Sequence, residues 1–399
     1  MQEEKFPYID RLDETVLDEA ILRFGTPTYV FDVEQAKKRA RAFRGIIGQA
    51  ADLCYAMKAN PFLVRAMAEE VNRIEVCSMG EFRICKQKEI PAEKLLISGV
   101  MKDRDDLWEI LETYGNRCHY TIESLNQYAI LNEWARSSGK KVPVYLRLTS
   151  GNQFGMDEET LTNIVELEQD KDLLEICGIH YFSGTQKKRK KTLEELTYLD
   201  EVFARLKEKT GYQVTELEYG PGLAVPYFAR QADERFETLE AIADALAKMQ
   251  WQGKVTLEMG RAFVADCGYY ITTVKDTKRS GDQNYCIIDG GMHQVNYDGQ
   301  IRGMYQPKLT IRPQGARGIY QNCTICGELC TGNDILVQNI KIDDLRVGST
   351  IIFENTGAYA VTEGMALFLS HVLPSVVLYD PVGGFTQVRA RRETYVWNS

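Results

Sequence analysis

The apolar, β-prone run Leu53-Cys-Tyr-Ala-Met57 is followed directly by Lys58, and Asn60-Pro61 ends the strand that this run predicts. A lysine is therefore expected at the carboxyl end of a buried strand. Its ammonium group loses hydration there unless it is paired, and desolvation favours the neutral amine that Schiff-base chemistry requires. The structural alternative is a lysine whose stem is buried while its head group reaches water.

The same order, a strand followed by a helix, recurs along the chain from residue 26 to about residue 265. Such alternation is typical of parallel strands joined by crossover helices. About eight units of this kind predict an α/β fold with a closed (β/α)8 TIM barrel, and a doubly wound open sheet is the alternative. The predicted barrel strands are 53–57, 73–77, 95–98, 120–122, 142–148, 176–182, 216–219 and 255–258.

The pattern changes after residue 265. Short β-prone runs separated by Gly, Pro and Asp predict a C-terminal antiparallel β-domain, interrupted by one helix over 362–371. We therefore expect two domains, a barrel over 26–265 and a β-domain over 266–399. Residues 1–25 are expected to pack on the β-domain.

Composition excludes several classes of function. A net charge of -9 argues against nucleic-acid binding and against an anionic membrane surface. The chain starts without a signal-peptide pattern and has no apolar run of membrane-spanning length, which predicts a cytoplasmic protein. Its ten cysteines are then expected to be reduced thiols. Cys323 and Cys326 have the spacing of a metal-binding pair, but no second pair completes a site, so no metal site is predicted.

Three glycine-containing turns follow late strands of the predicted barrel. Bare backbone N–H groups in such turns can approach a phosphate, and the loops after late barrel strands are where barrels commonly bind one. Glu258 lies just before the last of these turns. It either pairs with Arg261 or binds the ring nitrogen of a pyridine cofactor, which a carboxylate would keep protonated. The turns are Ser183-Gly-Thr-Gln186, Gly220-Pro-Gly222 and Gly260-Arg261.

From about Gly25 to Tyr379 the chain resembles the fold-type III pyridoxal-phosphate decarboxylases, the group that contains diaminopimelate and ornithine decarboxylases. Nine motifs carry this resemblance and occur in the family's order. They are Gly25-Thr-Pro-Thr-Tyr-Val-Phe-Asp32, Tyr55-Ala-Met-Lys-Ala-Asn60, Val76-Cys-Ser-Met-Gly-Glu81, Ile179-His-Tyr-Phe-Ser-Gly-Thr-Gln186, Glu218-Tyr-Gly-Pro-Gly222, Glu258-Met-Gly-Arg261, Asp289-Gly-Gly-Met292, Cys326-Gly-Glu-Leu-Cys-Thr-Gly-Asn-Asp334 and Glu354-Asn-Thr-Gly-Ala-Tyr359.

The resemblance implies pyridoxal 5'-phosphate as the cofactor. Lys58 would hold it covalently, and Glu258 would pair with its pyridine nitrogen. The resemblance also implies that Cys330 protonates the substrate's α-carbon and that its loop, which includes Asp334, faces the substrate. In such enzymes this loop completes the neighbouring subunit's site, which implies a head-to-tail homodimer. The residues expected to cradle the phosphate are Thr185, Gly222, Gly260, Arg261 and Tyr359.

The sequence departs from the family pattern in three places. Phe182 replaces the histidine that stacks on the cofactor ring; a phenyl ring can still stack, and His180 is a second expected contact. Thr331 follows Cys330 where the family usually has Glu or Asp, and a hydroxyl cannot offset a distal ammonium group. The Arg-Pro-Ala-Leu-Tyr pattern of diaminopimelate decarboxylases is also missing, with Arg302 as a possible replacement for its arginine.

The sequence therefore predicts α-decarboxylation of an amino acid or a derivative, including one tethered to a carrier protein. The lysine-rich run 187–191 is usually a solvated loop, but it follows a predicted ligand loop and could attract such an anionic partner. An amino-acid racemase of the alanine-racemase type is an alternative, although those enzymes place an arginine where this chain has Glu258. A non-catalytic pyridoxal-phosphate-binding protein is a second alternative, and the predicted β-domain argues against it.

Overall fold

The computed structural model describes residues 6–7, 9–300, 302–312, 320–343 and 345–399. Its α-helices are α1 (Glu14–Phe24), α2 (Val33–Ile47), α3 (Val64–Glu70), α4 (Met79–Gln87), α5 (Arg104–Tyr114), α6 (Leu125–Ser138), α7 (Glu158–Lys171), α8 (Arg189–Thr210), α9 (Arg235–Leu246) and α10 (Arg261–Val264). Its strands are β1 (Thr28–Asp32), β2 (Asp52–Ala56), β3 (Arg73–Val76), β4 (Leu95–Ile97), β5 (His119–Ile122), β6 (Val142–Leu148), β7 (Leu174–Phe182), β8 (Glu216–Gly220), β9 (Lys254–Met259), β10 (Gly268–Ser280), β11 (Gln283–Ile288), β12 (Leu309–Arg312), β13 (Tyr320–Cys326), β14 (Ile335–Asp343), β15 (Thr350–Glu354), β16 (Ser375–Asp380) and β17 (Gly384–Arg389).

The described residues form two compact units that interleave along the chain. The barrel unit comprises Ala40–Val225 and Glu234–Ala262. The sheet unit comprises the described residues up to Arg39, Pro226–Asp233 and Phe263–Ser399. The domain boundaries expected from the sequence, 26–265 for the barrel and 266–399 for the β-domain, remain a prediction.

In the barrel unit, β2 to β9 close into an eight-stranded barrel in which every strand pairs in parallel with the next and β9 returns to β2. This confirms the (β/α)8 barrel and excludes the open sheet. The helices begin where the sequence supplies caps for their free N–H groups. Ser78, Ser124 and Asp157 each accept a hydrogen bond from a backbone N–H in the first turn of α4, α6 and α7.

The sheet unit contains a mixed sheet that is mainly antiparallel, ordered β14-β13-β11-β10-β1-β16-β17, with β15 pairing β10 and β12. Two pairings are parallel, β1 with β16 and β11 with β13. Helix α1 packs on this sheet, because Leu17 and Ala20 join a buried cluster with Val30, Tyr269 and Ile271. The predicted C-terminal β-domain is thereby confirmed as a fold class.

The prediction of a helix over 362–371 is wrong. This segment consists of turns and a single 3-10 turn, Phe368–Ser370. Leu369 and Ser370 adopt left-handed backbone angles, with φ of 58° and 56°, which an α-helix cannot contain. Gly364 also packs against the backbone carbonyl of His293 so closely that a Cβ there would collide with it.

Two further features bear on the predicted environment of the protein. Among the described residues, no helix is both long and apolar enough to cross a membrane. All ten cysteines lie in described segments, and each is a free thiol.

Candidate functional site

Lys58 lies just beyond the carboxyl end of β2, in a single 3-10 turn over Met57–Ala59. The fully buried Asn60 holds this turn in place: its side chain accepts a hydrogen bond from the Phe62 N–H, and its carbonyl accepts one from the Tyr55 hydroxyl. Met57 and Ala59 are buried on either side, so the main chain fixes where the lysine starts.

The Lys58 amine is paired, which differs from the desolvated amine that the sequence suggested. The side chain is 37% exposed, and its Nζ donates a hydrogen bond to Glu75 and lies 3.3 Å from the Cys77 sulfur. Cys77 in turn donates a hydrogen bond to Glu75. Burial and the negative charge of Glu75 raise the pKa of the Cys77 thiol, so Cys77 stays protonated beside the amine.

Glu258, on β9, is buried and forms a pair with His180 on β7, with 3.1 Å between Glu258 Oε2 and His180 Nε2. Burial alone would raise the pKa of the Glu258 carboxyl. The charge and hydrogen bond of His180, together with the charge of Lys58, outweigh burial and hold that pKa well below its usual range. The other ring nitrogen of His180, Nδ1, is buried without a hydrogen-bond partner.

The barrel interior also contains ion pairs that were not predicted from the sequence. Arg73 on β3 lies 2.5 Å from Glu218 on β8, and Arg147 on β6 lies 3.0 Å from Glu123. These four side chains are almost fully buried, whereas barrel interiors are usually filled by branched apolar residues. Charged residues at alternate positions of an otherwise apolar strand were the available signal.

Lys102 belongs to the same interior and was also missed. It is 4% exposed, lies 3.8 Å from Glu123, and donates hydrogen bonds to the Gly99 carbonyl, Thr121 and Gln127. Burial lowers the pKa of the Lys102 amine to about 8 despite the neighbouring Glu123 carboxylate. The barrel interior therefore holds a buried amine with a lowered proton affinity.

The glycine turns predicted to bind phosphate follow the adjacent strands β7, β8 and β9. Gly222 has a φ of +60°, and a Cβ there would collide with the Gly184 carbonyl oxygen. Gly220 lies against the Phe182 ring, and a Cβ on Gly260 would come within 2.8 Å of the Ala59 Cβ. Each position therefore requires glycine, and the three bare backbones line the same end of the barrel as Lys58.

The β7–α8 loop is held to the β8 turn by its own side chains. Gln186 binds both backbone groups of Val225, and the Lys187 N–H donates to the Gly222 carbonyl. Lys187 does not belong to a solvated lysine run, because its side chain is buried and its amine lies 2.5 Å from Glu195. Thr185 is exposed within this fixed loop.

The remaining predicted site residues lie in the sheet unit. Cys330 is exposed, and Thr331 is partly exposed beside it. Asp334 is buried and accepts hydrogen bonds from the N–H groups of Met292 and Leu329, which closes the loop that carries Cys330. Asp334 therefore stabilises the conformation of this loop. Its predicted contact with the substrate remains a prediction.

Arg302 and Tyr359 complete the predicted set. Arg302 is exposed and lines an open pocket with Asn333 and Glu363. Tyr359 is partly buried and has a φ of 63°, a backbone angle uncommon for an aromatic residue. The structure thus gathers Lys58, His180, Phe182, Gly222, Glu258, Gly260 and Arg261 at one end of the barrel, and it places Cys330, Thr331, Asp334, Arg302 and Tyr359 in the sheet unit.

Comparison with known proteins identifies this arrangement. The sequence model described as the pyridoxal-binding domain of pyridoxal-dependent decarboxylases matches residues 33–265, more than half of the chain. The chain belongs to the pyridoxal-dependent decarboxylase family. It is a pyridoxal-phosphate-dependent decarboxylase of an amino acid or an amino-acid derivative, as the sequence predicts.

Relatives of this decarboxylase act on different substrates. It is 26% identical to the L-glutamyl-(BtrI acyl-carrier protein) decarboxylase of Niallia circulans, over 92% of each chain. It is 27% identical to the diaminopimelate decarboxylase of Aquifex aeolicus, over 88% of each chain. A crystal structure of the M. jannaschii diaminopimelate decarboxylase with L-lysine, 23% identical, shares the fold with a TM-score of 0.82 and covers 94% of this chain and 91% of that one. These relatives favour decarboxylation over the racemase and non-catalytic alternatives.

Proposed function

We propose that Lys58 and Glu258 hold pyridoxal phosphate at the carboxyl end of the barrel, and that the substrate is an amino-acid derivative without a distal ammonium group. One observation supports the proposal that Lys58 and Glu258 hold the cofactor. The lysine and the carboxylate come from the neighbouring strands β2 and β9, at the same end of the barrel, and Glu258 is kept ionised by His180.

The residues at this end of the barrel fit the cofactor. The Lys58 amine suits an aldehyde, the ionised Glu258 suits a protonated pyridine nitrogen, and the bare backbones of Gly222 and Gly260 suit a phosphate. Thr185 and Arg261 would add a hydroxyl and a guanidinium to the phosphate site. Phe182, His180 and Tyr359 are the further proposed cofactor contacts, with the Phe182 ring stacking on the cofactor.

When bound, pyridoxal phosphate supplies an electron-poor ring that accepts the electron pair released as carbon dioxide leaves. Glu258 would maintain this property, because its ionised carboxylate favours a protonated ring nitrogen. Glu75 holds the Lys58 amine in position through a hydrogen bond, so the amine would face the cofactor's aldehyde. Cys330 is proposed to deliver the proton from its sulfur to the substrate's α-carbon. Its exposure leaves the thiol accessible from solvent.

Substrate specificity rests on the residue that follows Cys330. Thr331 is neutral, and a distal ammonium group that loses its water opposite a hydroxyl would be poorly compensated. Arg302 adds a positive charge to the pocket that it lines with Asn333. A neutral or carbonyl-bearing distal end suits these groups, and one relative is named for a carrier-bound L-glutamyl substrate.

The proposal is tested by carbon dioxide release from a panel of substrates. The panel contains meso-diaminopimelate, L-lysine, L-ornithine, L-glutamate and the L-glutamyl thioester of pantetheine. We expect kcat/KM for the best substrate without a distal ammonium group to exceed that for the diamino acids by at least about 10-fold. Thr331→Glu should shift the preference towards L-lysine or L-ornithine, whereas Thr331→Val, which adds no charge, should not. A wild-type preference for diaminopimelate or lysine would contradict the proposal.

We further propose a homodimer in which the Cys330 loop of one subunit completes the site of the other, on the strength of the family resemblance. The cytoplasmic location stays a prediction from the sequence.

A further inference from the structure

Two of the chain's four histidines meet a single carboxylate in the sheet unit. His293 Nε2 lies 3.4 Å from Glu328 Oε1, and His371 Nδ1 lies 3.2 Å from the same oxygen. One ligand atom from each residue can be chosen so that all three lie within 4.8 Å of one another. Three potential ligands from distant parts of the sequence therefore converge on one point.

The burial of His293 makes this cluster more than a surface ion pair. Its side chain has no exposed surface, and neither ring nitrogen has a hydrogen-bond partner with acceptable geometry. A buried polar group without a partner costs about 1–3 kcal/mol, so such groups in proteins usually have one. A metal ion bound at a ring nitrogen would supply the missing partner.

The cluster is also open on one side. His371 and Glu328 have side-chain exposures of 28% and 27%. An ion could therefore enter from solvent and retain a water ligand. A site with two imidazoles, one carboxylate and a free position is a recognised arrangement for Zn²⁺.

Hydrogen bonds outside the cluster fix the three segments that supply it. The Glu328 N–H donates to the Gly290 carbonyl at 2.8 Å, which holds the carboxylate's segment near that of His293. The Gln294 amide donates to the Val372 carbonyl at 2.9 Å. The Thr394 hydroxyl donates to the His371 carbonyl at 2.7 Å. The backbone is thus arranged before any ion binds, which lowers the entropic cost of binding.

We propose that His293, Glu328 and His371 bind one divalent transition-metal ion of the Zn²⁺ type. The sequence does not predict this site, because its three ligands share no short spacing. Glu328 lies two residues before Cys330, so the ion would also restrain the loop that carries Cys330. This inference goes beyond the proposed function, since binding can be measured without turnover.

The test is titration of chelator-treated holoenzyme with Co²⁺ alone, followed by the d–d absorbance bands, with Zn²⁺ then added as a competitor. We expect one Co²⁺ per chain, no thiolate-to-cobalt charge-transfer band, and displacement by Zn²⁺. His371→Ala and the nearly isosteric Glu328→Gln should each raise the dissociation constant at least about 10-fold. Both residues are partly exposed, and circular dichroism verifies that the variants are folded.

Two matched controls separate this site from other ligands. His119→Asn removes a histidine of the barrel unit, and Cys330→Ser removes the exposed thiol nearest to Glu328 in sequence; both should bind Co²⁺ as the wild type does. Unchanged affinity in His371→Ala and Glu328→Gln would overturn the proposal and leave the cluster as an ion pair. Loss of binding in Cys330→Ser, or a strong thiolate band, would overturn it in favour of a cysteine site.

Discussion

The Glu258 carboxylate and the His180 imidazole form a buried pair, 3.1 Å apart, between strands β9 and β7 of the barrel. This contact explains how a carboxylate remains ionised where burial would otherwise protonate it. An ionised Glu258 is what a protonated pyridine ring needs as its partner. His180 is therefore proposed to act through Glu258, as a positioning residue.

Replacing His180 should alter the pH dependence of the enzyme. The pKa of Glu258 is held low by His180, so His180→Asn should raise it, and the carboxylate should then become protonated at a higher pH. We expect the acid limb of the kcat/KM profile to move up by about 1–3 pH units. His119→Asn, a change at the amino-terminal end of β5, should leave that limb in place. If the acid limb of the His180→Asn profile did not move, His180 would not control the ionisation of Glu258.

The glycine at position 222 should be essential for cofactor affinity. Gly222→Ala introduces a Cβ that collides with the Gly184 carbonyl and strains a left-handed backbone. We expect the dissociation constant for pyridoxal phosphate, measured by fluorescence titration, to rise about 10-fold or more, equivalent to about 1.4 kcal/mol. Gly211→Ala is the matched control, because Gly211 has a φ of +73° but open space around it. If both changes weakened pyridoxal-phosphate binding equally, the lost affinity would be due to backbone strain and not to the collision at Gly222.

The Arg73–Glu218 pair should be important for stability. Glu218→Leu leaves the Arg73 guanidinium buried without its nearest carboxylate, and we expect a loss of about 3–5 kcal/mol in the free energy of unfolding. The double variant Arg73→Met/Glu218→Leu should regain much of that loss, because no buried charge is left unpaired. Urea denaturation measures both. A double variant no more stable than Glu218→Leu would mean that the charge pair is not the cause.

Shared active sites can be tested by mixing two inactive variants. Lys58→Ala and Cys330→Ala should each abolish turnover, for different reasons and, if the loop is exchanged, in different subunits. After subunit exchange, random pairing should restore about a quarter of wild-type activity, since half of the dimers then contain one intact site. A mixture that stays inactive, although native mass spectrometry shows mixed dimers, would argue that each site belongs to one chain.

The barrel was predictable because β-prone segments alternate with capped helices. Strands β2, β4 and β6 contain apolar runs, and residues such as Ser78 and Asp157 mark the helix starts. Strand β1 carried no sign that it would pair with β16, more than 300 residues later in the chain. The segment 362–371 has helical composition, but packing of Gly364 against His293 and the left-handed Leu369 override it.

The site was predictable to the extent that local motifs mark it. Lys58 and Glu258 stand at strand ends beside turn residues, which a sequence displays directly. Their partners Glu75 and His180 lie on other strands, and pairing across a barrel depends on strand register. The cluster of His293, Glu328 and His371 shows the same limit, since no spacing in the sequence brings its members together.

The most direct test of the account is the identity of the lysine that binds the cofactor. Borohydride reduction of the purified holoenzyme, followed by peptide mass spectrometry, should place one reduced pyridoxal phosphate per chain on Lys58. Lys58→Ala should show no such adduct, whereas Lys254→Ala, which removes a half-exposed lysine paired with Asp52, should retain it on Lys58. An adduct on any other lysine of the wild-type protein, or no adduct after addition of pyridoxal phosphate, would contradict the account.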